Sequence, residues 1–203
     1  MSRSKTILAH SPFRRWGAYS PFRGWGALAL LLLFSCHAEE NISHKYLCRF
    51  AFTYGLHPTS KLVTAVKNPG YFVSVSMGRV NGLQHVYVSP ADGTGDEDIA
   101  LTTEPENSIT YELGAYNGIL LGSTNFSGPT AFDQQCPNCL EQYGRVGFPL
   151  TWVTAKALSV ECKKCGRTYS LETGALENKK NNSEQGLLRY KVSVNAKQIV
   201  VSN

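Results

Sequence analysis

The sequence predicts an all-β domain, an antiparallel sandwich or barrel, on three observations. Short alternating or aromatic-rich stretches recur along the chain with turn signals between them. A single segment, Pro58 to Lys67, makes a case for helix, because Leu62, Val63 and Val66 share a face. Nothing gives the strand–helix–strand rhythm of a nucleotide-binding fold.

The first 35 residues are a leader by composition. They hold Arg3, Lys5, Arg14, Arg15 and Arg23 and no acid, and run into the apolar Ala27 to Phe34. That run falls short of the roughly 20 residues a bilayer span needs and suits the core of a signal peptide. It ends in Leu33-Phe34-Ser35-Cys36, which resembles a bacterial lipobox, with Cys36 the residue to be lipidated. An ordinary secretory signal cleaved nearby is the alternative. Ser11 to Ala18 recurs nearly unchanged as Ser20 to Ala27, a duplication too short to be a structural repeat. Residues 36–45 then read as a polar tether and 46–203 as the domain. The expected address is a bacterial cell envelope, at the outer membrane or cell surface, with the lipid on Cys36 as the membrane contact.

The net charge of +5 belongs to the leader: the remaining residues carry 15 basic and 15 acidic side chains. A neutral domain leaves no electrostatic footprint for nucleic acid. Within it, strands are predicted over Arg49–Tyr54, Tyr71–Met77, Leu83–Val88, Ser108–Leu113, Gly118–Gly122, Leu187–Val194 and Gln198–Val201. Asn81-Gly82 marks a hairpin between two of them, and Asn68-Pro69-Gly70 a turn. Ser89 to Glu106 reads as a polar loop. Its Asp92, Asp96, Glu97 and Asp98 do not supply the ligand series of an EF-hand.

Four cysteines carry the chemistry. Cys136-Pro137-Asn138-Cys139 and Cys162-Lys163-Lys164-Cys165-Gly166 are two Cys-x-x-Cys pairs 22 residues apart. Short loops aim both sulfurs of a pair at one centre, and Gly166 permits a sharp turn. A closed tetrahedral zinc site is the first reading. A [2Fe–2S] cluster on four thiolates is the second, and disulfides within the loops, which export would favour, are the third. Cys48 has no evident partner and reads as a small apolar residue on a strand. Lys163 and Lys164 are placed to offset the charge of a tetrathiolate or to sit solvated at a loop tip. Phe148 and Trp152 are expected to pack under the loop joining the pairs. No hydrolytic motif occurs: Ser123, Ser127 and Asp133 lack a nearby histidine, and there is no Gly-x-Ser-x-Gly. The chain is therefore read as a non-enzyme whose protein partner no motif identifies.

Gly118 to Gly122, Thr130-Ala131-Phe132-Asp133 and Cys136-Pro137-Asn138 resemble the approach to the first ligand loop of Rieske-type ferredoxin domains. Cys162 to Gly174 resembles the second loop, and Leu187 to Val192 with Ile199 to Val201 the last two strands. The resemblance implies a Rieske-like fold with metal-binding loops over 132–174. It also marks a departure. A Rieske centre takes one histidine from each loop; here Asn138 and Cys165 stand in those positions, and His10, His37, His44, His57 and His85 lie away from both loops. The resemblance therefore implies a site of four sulfurs, as zinc or as an iron–sulfur electron carrier of low potential.

Overall fold

Alternation of buried side chains across a few central strands sets the architecture of residues 41–203, which the computed structural model describes. The leader, Cys36 and the start of the tether lie outside the described residues. The strands are β1 (Cys48–Phe52), β2 (Phe72–Val80), β3 (Leu83–Pro90), β4 (Glu97–Leu101), β5 (Glu112–Leu113), β6 (Gly118–Thr124), β7 (Gly128–Asp133), β8 (Thr151–Trp152), β9 (Ser159–Glu161), β10 (Thr168–Ser170), β11 (Arg189–Val194) and β12 (Ile199–Ser202). Helices are short: α1 (Lys61–Lys67), α2 (Glu104–Ser108) and α3 (Pro137–Tyr143).

Nine strands pair in the order β4-β3-β2-β6-β7-β11-β12-β1-β5, and three more in the order β10-β9-β8. Every strand pairing is antiparallel. β11 changes partner along its length. Arg189 and Tyr190 pair with β7, whereas Lys191 to Val194 pair with β12. The large sheet thereby turns over on itself, and Phe50 and Phe52 of β1 share one core with Val73, Val75, Val86, Ile119 and Leu121.

The central strands serve two cores because their side chains alternate. On β6, Ile119 and Leu121 face the main core, while Leu120 faces a second one. Ala131 and Phe132 divide in the same way on β7, as do Val73 and Phe72 on β2. All seven residues of β6 are buried. The second core holds Phe72, Leu120, Phe132, Leu150, Val160, Tyr169 and Leu171 together with the cysteine pairs. Burial of each such large side chain is worth roughly 1.5–3 kcal/mol.

Asn81 (φ 50°) and Gly82 (φ 83°) form the two-residue hairpin the sequence predicts, both in the left-handed conformation that a type I′ turn requires. Helix α1 begins later than the predicted Pro58. Ser60 caps it by accepting from the Leu62 amide at 3.2 Å, and Leu62, Val63, Ala65 and Val66 are buried.

Two expectations are corrected. Ser89–Glu106 is not one loop: it contains β4 and the start of α2. Its acids are structural. Glu97 accepts from the Lys61 amide and from Ser60 Oγ at the start of α1, and Asp98 meets His85 Nδ1 at 2.6 Å. Ser108–Leu113 narrows to the two residues of β5, because Pro105 starts a helical turn that runs to Ser108. At the other end, the last residues of the tether are already fastened. Ser43 N donates to Arg189 O at 2.8 Å, and the Asn203 side chain holds Ser43 O, Tyr46 O and Cys48 N. Among the described residues, no helix is long and apolar enough to cross a membrane.

Candidate metal centre

The two cysteine pairs, 22 residues apart in sequence, meet at the edge of the second core. Cys136 follows β7 and caps α3, with Pro137 in the first helical position and Gly144 closing the helix. Cys162 to Cys165 form the tip of the β9–β10 hairpin, whose Glu161 and Thr168 pair directly. Gly166 (φ 68°) turns this tip, its amide donating to Cys162 O at 2.8 Å while Cys162 N donates to Arg167 O at 2.9 Å.

The four sulfurs lie within 4.8 Å of one another. The short distances run between loops: Cys136 Sγ to Cys165 Sγ is 3.8 Å and Cys139 Sγ to Cys162 Sγ is 3.6 Å. All four thiols are free, which corrects the reading of disulfides within each loop. Cys136, Cys139 and Cys162 are buried and Cys165 is half-buried. The cluster is close enough to hold a metal ion.

A polar frame fixes the sulfurs. Asn138 Nδ2 donates to Tyr169 Oη at 2.8 Å, which leaves the tyrosine hydroxyl to donate to Cys136 Sγ at 3.2 Å. The same amide pairs with the Gln185 backbone, Nδ2 to O at 2.8 Å and N to Oδ1 at 2.9 Å. Gln135 is wholly buried; its Oε1 accepts from the amides of Gly147 and Phe148, and Phe148 O in turn accepts from Cys136 N. Arg167 bonds both Cys165 and Glu184, the latter at 2.7 Å. Glu184 is held below the usual carboxylate range by the Lys180 amide and then by Arg167.

These surroundings split the thiols. Burial pushes Cys136 up to about 11 despite the Tyr169 hydrogen bond, and raises Cys139 as well. Burial also opposes ionisation of Cys165, but the Arg167 side chain and amide overcome it and hold that thiol at about 7. Burial thus favours the neutral thiol at Cys136 and Cys139, while Arg167 favours the thiolate at Cys165. Enclosing more than one thiolate calls for a cation among them.

The sequence-predicted ligands Cys136, Cys139, Cys162 and Cys165 are brought together; Cys36 lies outside the described residues. Phe148 and Trp152 pack against the second core, and Lys163 and Lys164 are exposed. Cys48 is buried on β1, as expected for an apolar role. Sequence reasoning missed the parts played by Gln135, Arg167 and Glu184. Glu184 had no signal at all, since it sits in a polar run. Comparison with protein-family models, curated proteins and solved structures finds no match for the chain.

Proposed function

We propose that this is an envelope lipoprotein, anchored through Cys36, whose Rieske-like β domain holds one structural zinc ion on Cys136, Cys139, Cys162 and Cys165. The carrying observation is the compactness of the sulfur set. A Zn–S bond of about 2.3 Å puts the edges of a ligand tetrahedron near 3.8 Å, and two cross-loop distances are 3.6 and 3.8 Å. All four coordination positions are filled by protein, so the ion clips two loops together rather than meeting a substrate. Clips of this kind contribute on the order of 10 kcal/mol to folding in zinc-finger peptides.

Asn138 supports the loss of Rieske chemistry in this chain. It occupies the position of a ligand histidine, yet its side chain is spent on Tyr169 and Gln185. The second reading is a [2Fe–2S] electron carrier on the same residues, favoured by the order and spacing of the loops.

Metal analysis and a visible spectrum of the full chain, purified without air, test this reading. The expected protein is colourless with one zinc per chain. A brown protein with two irons and sulfide overturns zinc in favour of the carrier. Anchoring has its own test. Cys36→Ala is expected to abolish labelling by a radioactive fatty acid and to release the protein from membranes; unchanged labelling would refute the lipidation site.

A further inference from the structure

Beside the metal centre lies a groove of about 250 Å³, lined by Phe148, Pro149, Thr151, Lys163 and Lys164. It adjoins the sulfur cluster: Cys162 and Gly147 complete its lining, and the backbone of Gly147 and Phe148 is held by Gln135. The Phe148 ring is half-buried in its floor, with Tyr143 against it at 5.1 Å between ring centroids. Cations stand on both sides: Arg145 lies over Phe148 at 5.2 Å and Lys164 over Tyr143 at 5.6 Å. Among the described residues, no carboxylate pairs with Arg145, Lys163 or Lys164. Tyr143 and Val146 extend the apolar surface, at 42% and 38% exposure.

We propose that this groove binds an acidic peptide segment of a partner protein, seating one aromatic or long aliphatic side chain on Phe148 and laying flanking carboxylates against Arg145, Lys163 and Lys164. Charge complementarity selects the occupant: Lys163 and Lys164 on the groove's lining and Arg145 over its phenylalanine ask for negative charge spaced around an apolar side chain. Concavity selects a peptide over a lipid surface. Insertion into a membrane needs apolar groups standing beyond the cations, whereas here the phenylalanine is half-buried and the cations are exposed. The inference rests on the metal reading only in that the clipped hairpin carries Lys163 and Lys164.

The test is fluorescence anisotropy of a labelled peptide, one phenylalanine flanked on both sides by aspartate and glutamate, titrated with the full-length chain. Metal content is measured in the same samples. Saturable binding is expected, weakened about tenfold or more by Arg145→Glu and by high salt. A peptide with lysines replacing the acids should not bind. If Arg145→Glu also loses metal, Lys164→Gln decides, with weakened binding expected at full metal content. No saturation, or equal binding by the metal-loaded variants, overturns the proposal. Capture on anionic phospholipid vesicles that Arg145→Glu abolishes, with no peptide binding, overturns it in favour of a lipid surface. Peptide binding by a chain that holds no metal sinks the zinc reading and leaves the groove standing.

Discussion

Asn138 and Tyr169 show how a site is kept in shape by residues that do not coordinate. Asn138 links α3 to the backbone at Gln185, and through the Tyr169 hydroxyl it reaches Cys136. Removing that hydroxyl leaves a thiolate without its donor and an amide without one acceptor, while the ring still fills the core. Partners of this kind commonly contribute 10–100-fold to metal affinity. Tyr169→Phe is therefore expected to weaken zinc binding by about tenfold in a chelator competition, with the stability of the loaded protein lowered in step by about 1.4 kcal/mol. An unchanged affinity would show that the hydroxyl is only packed there. The clustering of the four cysteines was legible from their spacing, because a two-residue knuckle leaves few options for its sulfurs. Their supports were not. Gln135 acts on amides 12 and 13 residues away, and Arg167 on a carboxylate 17 residues away. Nothing local in a sequence announces such partners.

At the level of elements, the metal loops form a separate layer laid on the large sheet. The β8–β9–β10 sheet pairs only within itself, and its packing partners lie on the far side of β2, β6 and β7 from the main core. Stability need not be uniform across such a division. Chelation is expected to free the amides of residues 136–174 to exchange with solvent while β2, β3 and β6 stay protected, as read by hydrogen–deuterium exchange. Loss of protection across both layers at once would show instead that the fold depends on the ion throughout. The same division explains which strands could be read. β2, β3, β6 and β12 carry apolar alternation or a continuous buried run, and they were found. β4 pairs its Glu97 and Asp98 with β3 despite a loop-like composition, and α3 is set by one proline and one glycine around the first knuckle. Tertiary pairing decided β4, of which composition carried no sign, whereas local caps decided α3.

The domain of residues 41–203 is closed by a few buried titratable groups where its first strand, its last residues and its main core meet. Cys48 sits on β1, its amide held by Asn203 near the chain's end. Asp133, wholly buried, accepts from the Ala115 and Gln135 amides and from the Tyr190 hydroxyl at 2.7 Å. Burial, and then the charge of Asp133, pushes Cys48 up to about 12; burial and then Glu106 push Tyr111 to about 12, and Tyr190 is raised as well. In the unfolded chain the same groups ionise near pH 9 for the thiol and 10 for the phenols. Above those values the unfolded state holds fewer protons than the folded one, so stability falls as pH rises. The contribution is whole below about pH 9 and is lost between there and about pH 12. For Cys48 alone the loss by about pH 10.5 is on the order of 2 kcal/mol, at 1.36 kcal/mol per pH unit. The urea midpoint is expected to drop above about pH 9. Cys48→Ala should start lower, from the lost packing, and fall with a shallower slope, because one of the raised groups no longer titrates. A variant whose midpoint falls as steeply as the parent's would mean that the thiol is already free to ionise in the folded chain, and that β1 is not sealed where Asn203 closes over it.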